Sequence, residues 1–488
     1  MNGKIQGIII GGVVVAALGG TLAFLELTGK DSGGTEDSSS SVVSKADNDA
    51  EAVTLINVEQ KDIQRVVVEN ASGGYTLERP SSGKSEYNIV ELTGLNQSSV
   101  MKSGLVEDLA SLEAYKTVEE NTDDLAKYGL AEPETKFTVE FADGSSRSFR
   151  IGDVSTKTRY RYFCEEGKST VYMVLGSTLN DIIDRKEDFV SLSLIGSNTD
   201  AAYGRLEVER RDLPYICAFE DIEEEKALIS SQVMVEPIFA HLNITTSSGV
   251  THGLFGLSAA CCEKIFPTQE DWEAYGLDDP LAVVRYENET QSYTLTIGNE
   301  IHATDDNGNE TDEVTAYYGY VYGVTGADCI WQFTADTVPW ATFLPGDVTS
   351  MMTANKIFDV SEVVITIGDK VYDYTLSGNE DENTVYWVKL DGTQDMEPGL
   401  FQGLYKYLLS CPTNEIYFEE TEGEPFLTVV INRTDADSDK MEFYQDTSRR
   451  VIVALNGKPS YRIESRWTDV FISNVDKINR GEEVQDNA

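Results

Sequence analysis

The clearest regularity along the chain is an alternation of apolar and polar positions. Phe137, Val139 and Phe141 alternate with polar neighbours, as do Phe149 and Ile151, and later Tyr293, Leu295 and Ile297. A period of two is the signature of strands with one buried face, and predicts antiparallel sheet. Asp143-Gly144 falls between two such runs and predicts a hairpin turn. Leu105, Leu109 and Leu112 have helical spacing instead, as do Leu400, Leu404 and Leu408. Tyr128-Gly129-Leu130 with Pro133, and Tyr275-Gly276-Leu277 with Pro280, read as helix stops. The Gly suits the left-handed position after the last turn, the Leu folds back on that turn, and the Pro blocks continuation. The predicted unit has two or three strands and a helix, then a strand and a short helix ending at Tyr-Gly-Leu. A meander of strands and a further helix complete it.

That order recurs. Asp124 to Pro133 matches Asp271 to Pro280, and Phe149-Arg150-Ile151-Gly152 matches Leu295-Thr296-Ile297-Gly298. Upstream, Arg65-Val66-Val67-Val68-Glu69 matches Arg205-Leu206-Glu207-Val208-Glu209. Several short matches in one order, with drifting offsets, indicate one fold with loop insertions, here an insertion near Asp305. A third copy is more diverged. Leu427 to Ile431 echoes Phe137 to Phe141, Gly457 to Tyr461 echoes Gly167 to Tyr172, and Tyr374-Thr375-Leu376 echoes Tyr75-Thr76-Leu77, but Tyr-Gly-Leu is missing. The fold class expected is α+β, with three repeated modules of antiparallel sheet and packed helices over residues 53–198, 199–350 and 351–480.

Patterning changes abruptly at the N-terminus. Ile5 to Leu25 is almost wholly apolar, with only Gln6 strongly polar, and as a helix it would span about 32 Å, close to the thickness of a bilayer core. Residues 1–27 are therefore expected to form a transmembrane anchor, its N-terminus cytoplasmic and the bulk outside. Lys4 precedes the segment, while Glu26, Asp31, Glu36 and Asp37 follow. A cleaved signal peptide is the alternative, with Ala17-Leu18-Gly19 and Thr21-Leu22-Ala23 as small-x-small sites. Gly12, Ala16 and Gly20 form a small-residue face suited to packing on another membrane helix. Residues 28–52, rich in Ser, Gly, Asp and Glu, read as a flexible stalk, and residues 481–488 as a frayed polar tail.

Composition narrows the partners. The formal charge is −46, from 38 basic and 84 acidic residues. A field of that sign repels phosphate backbones, so nucleic acid is not an expected partner, whereas basic protein surfaces and divalent cations are attracted. Two acidic segments could hold calcium, Asp305 to Glu313 and Asp435-x-Asp437-x-Asp439, although neither fits an EF-hand loop. Three His and no nucleophile in a recognisable setting exclude the common hydrolase and metalloprotease motifs. No catalytic, cofactor or metal-binding residue is assigned, and an enzyme is not expected. Tyr318, Tyr320 and Tyr322 share one face of a strand, with Tyr317 and Val321 on the other. Such a row packs under a helix or offers a binding surface. Of the six Cys, four fall between Cys217 and Cys329, and any internal disulfide is expected there, leaving Cys164 and Cys411 reduced.

The motif residues as a set resemble a known bacterial family, domain of unknown function 4340. They are Tyr128, Gly129, Leu130, Pro133, Ile151, Gly152, Tyr160, Tyr162 and Tyr172, with Tyr275, Gly276, Leu277, Pro280, Ile297, Gly298, Tyr317 and Tyr318 in the second copy. The resemblance implies anchoring by one N-terminal helix and an accessory role beside ABC transport systems of the gliding-motility type. It supplies no catalytic residues. The expected function is thus a non-enzymatic, membrane-anchored extracytoplasmic accessory protein associated with ABC transporter subunits. The alternative is a stand-alone surface binding or adhesion protein.

Overall fold

The computed structural model describes residues 52–80, 86–155, 159–196, 203–222, 231–252, 256–305, 307–351, 357–379, 384–434 and 437–485. The expected anchor and nearly all of the stalk lie outside these residues. Every strand pairing among the described residues is antiparallel, as the alternation requires.

The first large sheet is built from β1 (Val53–Thr54), β2 (Ile63–Glu69), β3 (Tyr75–Glu78), β4 (Asn88–Ile89), β5 (Glu113–Glu119), β6 (Thr135–Phe141), β7 (Ser146–Val154), β8 (Tyr160–Glu165) and β9 (Val171–Leu175). Helix α1 (Ser99–Ala110) precedes β5, and the short α2 (Asn180–Ile183) follows β9. The spatial order is β1-β5-β9-β8-β7-β6-β2-β3-β4. A two-stranded connection, β10 (Ser193–Ile195) with β15 (Leu257–Ser258), ties this sheet to the next.

The second sheet contains β11 (Arg205–Arg210), β12 (Ile216–Asp221), β13 (Gln232–Glu236), β14 (Ala240–Leu242), β16 (Cys261–Ile265), β17 (Ala282–Glu287), β18 (Ser292–Thr304), β19 (Glu310–Tyr322), β20 (Cys329–Thr334) and β21 (Thr349–Ser350). Its helices are α3 (Ile244–His252) and α4 (Gln269–Ala274). The order is β16-β20-β19-β18-β17-β11-β12-β13-β14-β21. The third sheet comprises β22 (Val360–Ile367), β23 (Lys370–Asn379), β24 (Thr384–Leu390), β25 (Gln394–Met396), β26 (Leu427–Arg433), β27 (Asp439–Thr447), β28 (Arg450–Leu455) and β29 (Lys458–Glu464). Helices α5 (Pro398–Leu409) and α6 (Ser465–Ile478) belong to it, and its order is β25-β24-β23-β22-β26-β27-β28-β29.

One path runs through all three sheets. The strand that enters each (β2, β11, β22) lies centrally, between its own hairpin partner and the strand reached after the helix (β6, β17, β26). The remaining strands then meander outward. In the first two sheets even the register agrees. Val68 faces Phe137, which faces Phe149; correspondingly Val208 faces Val284, which faces Leu295. The Arg65–Glu78 cross-strand pair recurs as Arg205–Glu220. The third sheet keeps the path but not every echo. Tyr374 pairs with Val363, four positions before the Ile367 that faces Leu427, whereas Tyr75 pairs with the Val68 that faces Phe137. A tight turn at Gly368 joins β22 to β23, so the hairpin partner slides relative to the first sheet. The insertion near Asp305, expected as a loop, is an extension of the β18–β19 hairpin, closed by a turn at its tip.

Residues 52–488 pack as one unit. A single hydrophobic core runs from Leu55 to Ile478 beneath all three sheets. Leu105 and Leu109 of α1, and Leu404 and Leu408 of α5, are buried in it on their predicted faces, while Leu112 lies just beyond the end of α1. The junctions are polar locks. Between the first and second sheets, Asn96 donates from its backbone N to Gly326 O (2.8 Å) and from Nδ2 to Thr325 O (2.8 Å). Between the second and third, Thr413 Oγ1 donates to Gly346 O (2.9 Å), and the buried Tyr461 hydroxyl donates to Thr349 Oγ1 (3.0 Å).

The tail departs from the expectation of fraying. Asn474 on α6 is fully buried, and a buried amide must be paired. It clamps the backbone of Gln485, whose N donates to Asn474 Oδ1 (2.8 Å) and whose O accepts from Asn474 Nδ2 (3.0 Å). Val484 is thereby seated on Gly403 of α5, where a Cβ would stand 2.7 Å from Val484 Cγ2. Residues 486–488 lie outside the described residues. Asn474→Ala should therefore destabilise the fold by roughly 1–3 kcal/mol, the cost of stranding buried polar partners. Denaturant unfolding would measure it. Truncation after Arg480 should cost a similar amount, and a tail that contributes nothing would leave both variants at wild-type stability.

Candidate functional site

The family-motif residues converge as two copies of one junction. Asp124 caps a short 3-10 turn (Leu125–Tyr128), accepting from Lys127 N, and Thr268 caps α4 through a reciprocal pair with Asp271. Each turn ends at a glycine in the left-handed region, Gly129 at φ 68° and Gly276 at φ 69°. The following leucine closes it, Leu130 N donating to Leu125 O (3.0 Å) and Leu277 N to Trp272 O (2.9 Å). Both leucines are buried, and Pro133 and Pro280 are half-buried where the next strand begins.

The Ile-Gly element is the other half of the junction. Ile151 and Ile297 point into the core. The glycines after them let the turn approach. A Cβ on Gly152 would stand 2.2 Å from Tyr128 O, and one on Gly298 would stand 2.3 Å from Tyr275 O. In the second copy Asn299 N donates to that same Tyr275 carbonyl at 2.9 Å. Tyr128, Leu130, Cys164 and Val171 thus form a small apolar cluster apart from the main core.

Each motif tyrosine also reaches back to the strand that precedes its turn. Tyr128 Oη donates to Glu119 Oε2 (2.5 Å) on β5, and Tyr275 Oη to Glu263 Oε1 (3.2 Å) on β16. The Tyr128 hydroxyl holds the Glu119 carboxyl below its usual range, and burial followed by Glu263 pushes Tyr275 up to about 12. A second tyrosine packs edge-on in both copies, Tyr162 at 4.8 Å from Tyr128 and Tyr318 at 4.6 Å from Tyr275. The motif is a structural clasp, as the helix-stop reading predicts. Tyr160 is buried, and Tyr172 sits on β9 opposite Phe163.

The tyrosine row on β19 is partly covered. Tyr317 and Val321 are buried, while Trp272 of α4 packs on Tyr320 (5.0 Å) and Tyr322 (5.8 Å) from the other side. Tyr322 remains 47% exposed. In each acidic segment one described carboxylate, Asp305 or Asp439, is held by internal partners. Asp305 Oδ1 accepts from Asn307 N (2.9 Å) and Asn309 N (2.8 Å), shaping the hairpin tip. Asp439 is buried against Arg433 Nη2 (2.8 Å) and Asn456 Nδ2 (3.2 Å); Asp435 lies outside the described residues. Among the described residues no three His, Cys, Asp or Glu side chains cluster as a metal site.

A groove of about 470 Å³ opens where the second and third sheets meet. Phe239 and Phe418, 50% and 45% exposed, flank it, and His241, Asp439, Asn456 and Lys458 supply its polar groups. His241 Nδ1 is buried without a partner. Burial and the nearby Arg433 hold the His241 imidazole below its ordinary value, while burial keeps the Asp439 carboxyl above its own despite Arg433. The arrangement suits an apolar or aromatic group that brings a hydrogen-bond donor. Sequence reasoning missed this site because its walls come from two sheets. The one local sign was Asn456-Gly457, both at positive φ in a hairpin turn, which aims Lys458.

Residues 93–213 match the model of a family described as Domain of unknown function (DUF4340). The match begins before α1, includes the first clasp and ends between β11 and β12. No curated protein and no solved structure matches the chain.

The close approach makes both strand glycines sensitive. Gly152→Ala and Gly298→Ala should each destabilise by about 1–3 kcal/mol or more, because the new methyl meets a backbone carbonyl that cannot step aside. Gly249, exposed on α3 with open space at its Cβ and no left-handed backbone, is the control; alanine there should cost nothing and can gain up to about 1 kcal/mol of helix propensity. Chemical denaturation of the three variants would rank them. Equal losses at all three positions would remove the clasp from the account.

Proposed function

We propose that this chain, a member of the DUF4340 family through residues 93–213, is a non-enzymatic accessory protein anchored in the membrane by Ile5 to Leu25. Its three copies of one α+β module stand on the extracytoplasmic side and serve an ABC-type transport system. The observation that carries this reading is the groove between the second and third sheets. Exposed phenylalanines beside a partly polar floor are the surface that a protein partner uses as an anchor point. The tether adds to this. A groove held at the membrane meets a membrane partner at raised effective concentration, so modest contacts suffice. The charge of −46 favours a partner with a basic outer surface.

A second reading, a stand-alone surface binding or adhesion protein, is favoured by the aromatic row of Trp272, Tyr320 and Tyr322, where Tyr322 stays accessible.

Detergent co-purification separates the two. The wild-type chain should recover a multi-spanning permease. Replacing Gly12, Ala16 and Gly20 together by Leu should preserve insertion, since Leu is favourable in the bilayer, yet reduce that recovery. Phe239→Ser combined with Phe418→Ser should reduce it by about tenfold, the effect of losing ~1.4 kcal/mol at an aromatic anchor. Recovery of a glycan or host protein in place of any permease would replace the accessory reading with the adhesion one.

A further inference from the structure

All six cysteines are described, and all six are free thiols. Four of them differ from one another mainly in how isolated they are. Cys164 lies in the outer cluster of the first sheet, and Cys411 is buried just beyond the end of α5. Cys217 on β12 stands five strands from β20, roughly 24 Å at the usual strand spacing. Cys261 pairs with Gln332 and is half-exposed, so its side chain points away from that of Cys262.

Cys262 and Cys329 are different. They sit on the hydrogen-bonded neighbours β16 and β20, where Cys262 faces Trp331 and Cys329 faces Ile265. Trp331 and Cys329 share a face of β20, so Cys262 and Cys329 are diagonal neighbours on one side of the ladder. The register shift between Cys262 and Lys264 bends β16 at this point. Both side chains are buried, 1% and 0% exposed, and the two thiols lie within hydrogen-bonding reach of each other. The contact with Cys329, and then burial, push the Cys262 thiol far above its ordinary value, so little thiolate forms at Cys262 while the chain is folded.

The surroundings give a bond here a consequence. β16 is the edge strand of the second sheet. On its open side, Arg185 from the segment after the first sheet donates from Nη2 to Cys262 O (2.9 Å). In the first sheet the corresponding edge strand, β5, is covered by β1. A cross-link from β16 to β20 would add a covalent tie to an edge strand whose open side meets Arg185.

We propose that Cys262 and Cys329 are a built disulfide site, closed when the chain meets a disulfide oxidant. Closure rests on the extracytoplasmic reading for its setting, but not for its geometry. Two S–H bonds break and one S–S bond forms. Two protons and two electrons pass to the oxidant, whose own disulfide is thereby reduced to two thiols. The thiols start as diagonal neighbours within hydrogen-bonding reach, on a strand already bent by its register shift.

The test uses the purified full-length chain in detergent, exposed to oxidised glutathione both folded and while refolding from denaturant. Non-reducing peptide mass mapping should find one linked pair, Cys262–Cys329, with the mass lowered by two hydrogens. Cys164, Cys217, Cys261 and Cys411 should take up alkylating label after denaturation. Oxidation should also raise the melting temperature, and reductant should reverse the rise. Cys217→Ser should retain the linked peptide and the rise; Cys329→Ser should abolish both. Full labelling of Cys262 and Cys329 after oxidative refolding, or a different linked pair, would overturn the proposal. A link that forms in vitro but is absent from chain isolated under thiol-trapping conditions would support the site and count against the extracytoplasmic reading.

Discussion

The structure depends on one constraint: each antiparallel sheet has an apolar face that its own helices cannot fully cover. α1 has twelve residues against a sheet of nine strands, and α5 and α6 have twelve and fourteen against a sheet of eight. The remaining apolar area is removed from water by placing the sheets over one shared core that reaches from Leu55 to Ile478. That arrangement explains why the junctions are made of hydrogen bonds to backbone and side chain and of close glycine contacts. At Gly346, a Cβ would stand 2.2 Å from Thr413 O, so the third sheet is seated against the second with no room for a side chain. The groove lined by Phe239, His241 and Phe418 exists because two sheets meet there at fixed geometry.

Much of this was legible in the residues. Period-two alternation placed β6, β7 and β18, and Tyr-Gly-Leu marked both helix stops, because in each case the physics is local. The first two copies could be aligned without structure, and the observed registers pair the matched residues identically. What the motif glycines do was only half visible. Left-handed Gly129 and Gly276 follow from helix termination, but the need for Gly152 and Gly298 comes from a carbonyl contributed by another segment. The echo of Tyr75 in Tyr374 failed in register because the turn at Gly368 is tight, a feature that sets pairing and leaves little trace in strand composition. The polar tail looked frayed because its partner, Asn474, is a buried polar residue on a helix whose pattern otherwise reads as amphipathic. The groove was invisible for the same reason as the strand glycines: its residues are far apart in the chain and near only once two sheets are fixed.

The electrostatics fit a rigid body that is heavily charged outside and tightly paired within. Arg205 bridges Glu207 on its own strand, Glu220 on β12 and Glu236 on β13, and Arg462 bridges Glu415 and Asp446. These networks hold acidic strands side by side, where unpaired like charges would repel. Partly exposed pairs of this kind contribute little each, so they permit the sheets more than they stabilise them. Stability resides in the shared core, and with it the fixed geometry on which the groove and the thiol pair depend.

The most direct test of that shared core is hydrogen exchange followed by mass spectrometry across a denaturant series. Peptides from β6, β17 and β26, the central strands of the three sheets, should lose protection together, in one transition, because no sheet keeps its apolar face covered without the next. Separate transitions, with the β6 peptides protected at denaturant concentrations where those of β26 have exchanged, would show three independent domains and contradict the account.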